Sequence, residues 1–316
     1  MEGILLSVAA VNVTFNSEAV IESCLRALLE KAPQVSAIVI DNASVDATLE
    51  RVRSFPQVSV IANRENRGFA GAVNQGVRES QADHILLLNP DVTLLTAMHL
   101  LVEASEKHGL SAGQLVDRRG QSQKGFTIRR LPTATTLMFE TLGLNWLWPS
   151  NPVNRRYRYL DRDLGAGGSV EQPAGAFLMI RRDVWRHLQG LDEQFHPVWF
   201  EDVDLCNRAL KNGYQIEYVP LVQGRHVGGH SVDTLEPGCR TLYWCASLLK
   251  YAAKYFSVRE NRGIRLTLIL GSLPRLGLSM IRERSFTPAT TWVEVVRLAV
   301  RRRGAPDAIR VSPKQS

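Results

Sequence analysis

Short runs of aliphatic and β-branched residues alternate along the chain with segments whose apolar positions recur every three or four residues. Residues 5–14 read as a first strand. Ser17 stands where a helix N-cap belongs, and Ile21, Leu25, Leu28 and Leu29 follow at helical spacing. Residues 37–40 predict a second strand, 47–54 a short helix and 58–62 a third strand. Residues 71–80 predict a helix entered through a glycine-containing loop, and 85–88 a fourth, fully apolar strand. This alternation predicts βαβ units, a mostly parallel sheet and right-handed crossovers. Residues 111–125, rich in Gly, Gln and charge, predict a loop. Residues 131–148, with Trp146 and Trp148, predict a helix that covers the sheet or faces a ligand, and 151–168 a mobile connection. Regular structure resumes as a strand at 174–180, a helix at 182–188, a helix at 202–212 closed by Gly213, and a strand at 216–219. From residue 241 the pattern is helical and increasingly basic.

Composition adds class and charge adds location. With 316 residues, 45% hydrophobic and 22% charged, the chain is expected to be globular rather than disordered or fibrous. No apolar run reaches the roughly 18–20 residues of a membrane span, and the first residues lack a secretory pattern. Cys24, Cys206, Cys239 and Cys245 form no CxxC pair, which predicts reduced thiols in a cytosolic compartment. The net charge is +7, yet residues 259–316 hold twelve Lys/Arg against four Asp/Glu, leaving the rest of the chain at −1. Residues 263–281 and 292–303 are apolar and basic together. They predict an in-plane contact with an anionic membrane, or a helical subdomain with a solvated arginine face. A nucleic-acid partner is disfavoured by the lack of aromatic platforms among the arginines.

Candidate chemistry lies at the strand ends. Asp41 follows 37–40 directly, Asp46 shares its loop, and Asp91 comes three residues after Leu88. In an open parallel sheet, ligands bind beyond the carboxyl ends of the strands, so Asn16, Asp41, Asp46, Asn89 and Asp91 should gather on one edge. Such a pocket suits a nucleoside, or a hard cation that holds a diphosphate. The plainer alternative is that Asp46 with Ser44 caps a helix and that Asn89-Pro90-Asp91 is a turn. Residues 63–76 (NRENRGFAGAVNQG) combine Gly68, Gly71 and Gly76 with Arg64 and Arg67 around a helix start, where an anion could rest. Their spacing fits neither GxGxxG nor a P-loop. Residues 200–208 (FEDVDLCNR) place Glu201, Asp202 and Asp204 at a helix N-terminus, as a cap or as a general base aimed into a cleft. Gly175 and Ala176 upstream would let a ligand approach the backbone. His226 and His230 are four apart, but Gly228 and Gly229 argue against a helix, so one functional loop histidine and one bystander are expected.

In this order, the pieces resemble the family 2 glycosyltransferases with the GT-A fold, above all their rhamnosyltransferase-like members. The carriers are Val11 with Asn12, Val13, Thr14, Phe15 and Asn16; Asp41-Asn42-Ala43-Ser44-Val45-Asp46; Asn66-Arg67-Gly68-Phe69-Ala70 with Asn74 and Gly76; and Leu88-Asn89-Pro90-Asp91. They continue with Gly175-Ala176-Phe177, Gly190-Leu191-Asp192-Glu193 with Phe195, Glu201-Asp202-Val203-Asp204-Leu205, and His226. The resemblance spans about residues 6–256. It implies an α/β fold, GT-A with a Rossmann-like, mostly parallel central sheet flanked by helices and a basic helical C-terminal extension. The implied domains are 1–235, divided near 110 into a nucleotide-sugar half and an acceptor half, and 236–316, membrane-associating.

The resemblance also implies an inverting glycosyltransferase of cell-surface polysaccharide synthesis. Its first-choice donor is dTDP-rhamnose and its acceptor a glycan or polyprenyl-linked glycan, at the inner face of the cytoplasmic membrane. Asp202 would be the base and Glu201 would shape the acceptor site. Phe15, Asn16, Asp41, Asn42, Asp46, Arg67, Gly68, Asn74, Asn89, Asp91, Gly175 and Ala176 would bind the donor. Asp91 and His226 would hold Mg²⁺ or Mn²⁺. Asn89 replaces the first acid of the family's DxD motif, which removes one anionic group from the metal site. The competing readings are a sugar nucleotidyltransferase, whose Arg/Lys-bearing glycine loop is missing after residue 14, and a catalytically silent nucleotide- or glycan-binding relative.

Overall fold

A computed structural model describes residues 6–228, 235–283 and 287–300. Gly229, His230 and the arginines at 301–303 lie outside the described residues. By its internal contacts the chain forms two compact units, Met1–Leu131 with Arg155–Thr234, and Pro132–Asn154 with Leu235–Ser316.

The first unit is built on one large sheet. In chain order its first elements are β1 (Val8–Thr14), α1 (Ile21–Lys31), β2 (Ser36–Asp41), α2 (Thr48–Arg53), β3 (Ser59–Ala62), α3 (Gly68–Arg78) and β4 (His84–Leu88). Then come β5 (Val92–Leu94), α4 (His99–His108), β6 (Gly109–Val116) and β7 (Ile128–Arg129). In the second unit, α5 (Ala134–Leu142) and α6 (Leu144–Leu147) follow, and α7 (Pro152–Tyr157) leads back. The first unit closes with β8 (Gly168–Ser169), β9 (Gln172–Pro173), β10 (Phe177–Arg181), α8 (Arg182–His187), α9 (Glu201–Lys211) and β11 (Gln215–His226). The second unit ends with α10 (Pro237–Tyr255), α11 (Val258–Glu283) and α12 (Thr287–Val300).

The strand order is β3-β2-β1-β4-β10-β6-β11-β5, with β8 added to β11, and β7 pairs with β9 apart from it. Strands β1 to β4 are mutually parallel, and β6 runs parallel to β11. Strand β10 is antiparallel to both β4 and β6, and β5 is antiparallel to β11. The central strands are apolar without alternation because both faces are covered. Val11, Val13, Ile38, Ile40, Ile85 and Leu87 face the layer of α3, α8 and α9. Ala10, Val39, Leu86 and Leu88 face α1, α2 and α4. Helix α3 lies so close that a Cβ on Gly76 would sit 2.7 Å from Val11.

Several sequence expectations shift. Residues 109–116 are a fully buried strand rather than a loop. A Cβ on Gly113 would lie 2.2 Å from the Phe177 ring, so this glycine makes room for an aromatic neighbour in the sheet. Strand β11 runs on to His226 through a bulge between Val219 and Gln223, beyond the expected 216–219. Ser17 does not cap α1, whose N-cap is Val20; its Oγ donates back to Phe15 O at 3.3 Å. The connection at 151–168 contains a helix, α7. The apolar segment after residue 131 packs on α11 within the second unit.

Candidate active site

The carboxyl ends of β1, β2, β3, β4 and β11 open on one edge, and the loops there interlock. Asp41, 2% exposed at the end of β2, accepts hydrogen bonds from Thr14 Oγ1 (3.0 Å), Ser44 Oγ (2.5 Å) and Ser44 N–H (3.1 Å). Asn16, at φ 50°, joins the first loop to the second. Its N–H donates to Ser44 Oγ at 2.9 Å, and its Oδ1 accepts from Val45 N–H at 2.9 Å. Phe15 beside it is half-buried. Asp46 accepts from the Thr48 hydroxyl (2.5 Å) and N–H (3.0 Å) and from Glu18 N–H (3.1 Å). Burial works against its charge, yet these donors prevail and hold the Asp46 carboxyl below its ordinary value. Asp46 therefore supports its loop.

Asn42 ties β2 to the loop after β3. Its Nδ2 donates to Asn66 Oδ1 at 2.8 Å, and its Oδ1 accepts from Arg67 N–H at 3.0 Å and Asn63 Nδ2 at 3.2 Å. Gly68, at φ 73°, lets His196 and Pro197 pack on the start of α3, since a Cβ there would lie 2.7 Å from His196 Cδ2. Arg67 is exposed beside it. Asn74, one of the expected donor contacts, is occupied differently. Its amide bridges Leu191 N–H, Leu191 O and Glu193 Oε1, each at 2.9 Å, and so latches the turn at 190–193.

A second cluster is centred on Gly175 and Ala176, just before β10. Asn89 N–H donates to Ala176 O at 2.9 Å on one side, and Gly175 N–H donates to Asp202 Oδ2 at 3.0 Å on the other. A Cβ on Gly175 would lie 2.9 Å from Asp202 Cβ, so only glycine admits this approach. The Asn89-Pro90-Asp91 turn and the acidic start of α9 thus flank one short piece of backbone. Gln172 Nε2 also reaches Asp202 Oδ2, at 3.4 Å.

Glu201 is 5% exposed, and its Oε2 is buried without a hydrogen-bond partner. Burial, and then the charges of Asp202 and Asp204, push its carboxyl well above the usual range. Ionisation of Glu201 is thus disfavoured beside the half-buried Asp202. Asp204 is committed elsewhere. It pairs with Arg208 at 2.7 Å, whose guanidinium also donates to Leu188 O and Gly190 O.

Asp91 and His226 meet because β5 pairs with the end of β11, placing His226 opposite Val92. Both side chains are buried, with His226 Nε2 3.4 Å from Asp91 Oδ2. His226 stacks on Phe126, ring centroids 4.9 Å apart. Gln123 orients it: Nε2 of the amide donates to the His226 carbonyl at 2.9 Å, which leaves Oε1 to accept from the ring Nδ1–H at 2.8 Å. In the neutral ring the Nε2 lone pair then faces a carboxylate, while Asp91 Oδ1 is buried with no partner. A cation satisfies both atoms. Among the described residues no cluster of three or more His, Cys, Asp or Glu that could hold a metal ion exists. Beneath the turn, Asn12 Nδ2 donates to Leu88 O at 2.8 Å, and the Cys24 thiol, kept neutral chiefly by burial, contacts Asn89 O at 3.6 Å.

Gln123, Phe126 and Gln172 have no sequence signal. They are uncharged or aromatic, and each falls where the pattern predicts neither helix nor strand.

The sequence profile of Glycosyl transferase family 2 matches residues 10–188. N-acetylglucosaminyl-diphospho-decaprenol L-rhamnosyltransferase of Mycobacterium tuberculosis is 27% identical over 212 residues, 62% of this chain and 68% of that protein. Rhamnosyltransferase WbbL of Escherichia coli is 26% identical over 164 residues, 50% of this chain and 57% of that protein. The solved structure of the mannosyltransferase PcManGT from Pyrobaculum calidifontis, in complex with GDP-Man and Mn²⁺, aligns with a TM-score of 0.53 at 14% identity. That alignment covers 93% of this chain and 86% of the mannosyltransferase, and it speaks for a shared fold.

Proposed function

The chain belongs to glycosyl transferase family 2 and is a glycosyltransferase, and we propose that it moves rhamnose from dTDP-rhamnose, with inversion, to a polyprenyl-linked glycan hydroxyl in cell-surface polysaccharide synthesis. The observation that carries this reading is that one short piece of backbone is bonded to Asp202 at Gly175 N–H and to Asn89, two residues before Asp91, at Ala176 O. An inverting transfer needs a base on the acceptor's side of the sugar and a group that stabilises the leaving diphosphate on the other. The choice of rhamnose and of a lipid-linked acceptor is supported by the two rhamnosyltransferase relatives, one of which is named for a diphospho-decaprenol substrate.

In this reading residues 1–235 are catalytic, with the donor in the half before about residue 110, and 236–316 attach the enzyme peripherally to an anionic inner membrane face. Phe15, Asn16, Asp41 and Gly68 form the walls around the base and ribose, with Arg67 exposed to meet phosphate. Asp202 takes the proton of the acceptor hydroxyl as the new C–O bond forms at the anomeric carbon. The old anomeric C–O bond breaks, and its electron pair leaves with the nucleoside diphosphate. A positioned base of this kind contributes typically ~10²–10⁴-fold. Glu201, neutral, donates a hydrogen bond toward the acceptor. Asp91 and His226 would hold Mg²⁺ or Mn²⁺, with Asn89 alongside as a neutral oxygen donor. The ion, when bound, supplies Lewis-acid neutralisation of charge on the diphosphate.

Calorimetry with dTDP, UDP and GDP, with and without Mn²⁺ or Mg²⁺, tests the donor site. Metal-assisted binding of dTDP, lost in Asp91→Ala, is the expected outcome. A folded protein that binds none of the three overturns the reading. Asp202→Asn should bind nucleotide normally and lose transfer by about 10²-fold or more.

A further inference from the structure

Helix α5 ends at Gly143 in a left-handed conformation, and the chain turns into the single turn of α6. Three consecutive large side chains then point to solvent: Trp146 is 75% exposed, Leu147 68% and Trp148 58%. Exposed tryptophans are ordinarily tucked in when a loop is free to do so, because burying an aromatic ring is strongly favourable. This loop is held open. Asn151, fully buried, donates from Nδ2 to Asn145 Oδ1 at 2.9 Å and to Trp148 O at 2.7 Å. Asn151 Oδ1 accepts from Asn154 N–H at 2.8 Å, and Asn154 Nδ2 donates to Pro149 O at 2.7 Å. The buried amides brace the backbone of residues 145–154 from inside while both rings remain outside.

The tip is also fixed to α11. Gly271 meets α5 so closely that a Cβ would fall 1.9 Å from Thr141 O, and Thr141 Oγ1 and Thr267 Oγ1 share a hydrogen bond of 2.8 Å. Arg275 caps α5 by donating to Thr141 O at 2.7 Å and Glu140 O at 2.8 Å, which seats a guanidinium at the base of the tip. Along α11, Leu266, Leu270 and Leu273 form a stripe at one-turn spacing, 57%, 48% and 49% exposed. The second unit has fifteen Lys/Arg against six Asp/Glu, a net +9 that exceeds the charge of the whole chain. Residues 132–154 include a single acid, Glu140.

We infer that Trp146, Leu147 and Trp148 are a rigid wedge that seats in the interfacial layer of an anionic bilayer. The inference rests on the membrane reading above and deepens it by assigning the apolar contact to these three residues. Tryptophan favours the depth of the headgroups, where its ring is apolar and its N–H is wet. An apolar tip with Arg275 at its base, on a unit of net positive charge, matches anionic phosphates, whereas a protein-binding patch needs no excess of positive charge. No helix among the described residues is long and apolar enough to cross a membrane.

The test uses the full chain and W146S/W148S, both exposed positions, with thermal melting and dTDP binding as checks that the variant is folded. Co-sedimentation is measured with phosphatidylethanolamine–phosphatidylglycerol vesicles and with phosphatidylcholine vesicles. Brominated phosphatidylglycerol reports whether tryptophan enters the bilayer. The expected result is that the parent binds the anionic vesicles and is quenched. The variant should bind about tenfold more weakly or less and lose the excess quenching. Equal binding and quenching of parent and variant overturn the wedge and leave the membrane reading standing. A parent that binds neither vesicle overturns both. A parent dimer that W146S/W148S converts to monomer, with vesicle binding unchanged, makes the tip an interface between copies and overturns the wedge.

Discussion

At the scale of single residues, the site separates two adjacent carboxyls by environment. Asp202 is partly open and receives the Gly175 N–H, while Glu201 is buried with an unpartnered oxygen. A carboxyl raised by burial stabilises the fold where the unfolded chain is also protonated. That contribution is complete below the ordinary glutamate value of 4.5 and is lost as pH rises toward the higher folded value. Glu201→Gln, which cannot ionise, should remove this loss. Melting curves from about pH 4.5 to about pH 8 should show the Gln variant gaining on the parent as pH rises. Its transfer rate should stay within the same order of magnitude, because a neutral donor is replaced by a neutral donor. A parallel pair of melting profiles would show that Glu201 ionises in the fold as it does in water. The acids at 41, 91 and 202 were legible because each follows or opens an element in the sequence pattern. The roles expected of them rested on the family resemblance alone, since spacing does not show which oxygen finds a partner. Asp46 bonds the start of the following helix, close to the capping alternative its spacing offered, whereas Asn74 is consumed by turn contacts that no spacing reveals.

At the scale of elements, the sheet's carboxyl edge was readable for β1 to β4, whose apolar runs end cleanly at polar loops. The later strands were harder. Strand β6 carries Ser111, Gly113 and Gln114 in a fully buried setting, with Gly113 small because Phe177 of β10 leans on it. Strand β11 contains Pro220 within its bulge, which breaks the alternation and hides the six residues that lead to His226. The consequence for the site is direct: His226 ends a paired strand and is fixed against β5, where a loop had been expected. The 190–193 turn depends on a different fixture, the Asn74 amide, which replaces missing secondary structure with three hydrogen bonds. Asn74→Ala should cost about 1–3 kcal/mol, the range for stranding buried partners. Denaturant melts would measure it. Because α9 is tied to the same turn through Arg208, the variant should also raise the acceptor KM more than the nucleotide Kd.

At the scale of the whole molecule, charge is partitioned between the two units. Subtracting the +9 of the helical unit from the +7 of the chain leaves the sheet-containing unit at −2. On the proposed reading, a donor diphosphate would be bound by local groups rather than by the overall field, whereas an anionic surface would be met by the helical unit's field and by its apolar contacts together. The two contributions respond to different perturbations. Salt shortens the range of the field, from a Debye length of about 10 Å at 0.1 M toward about 3 Å at 1 M, and leaves apolar insertion nearly untouched. Arg301, Arg302 and Arg303 concentrate three cations in sequence. Replacing all three with alanine should weaken partition into phosphatidylglycerol-containing vesicles by about 10²-fold, at roughly 1 kcal/mol for each cation near the surface. The same variant should show a flatter dependence of partition on salt, with dTDP affinity unchanged. Vesicle co-sedimentation across a salt series reads both quantities. An unchanged partition with an unchanged salt slope would place the surface-directed charge elsewhere in the helical unit, on α10, α11 and α12.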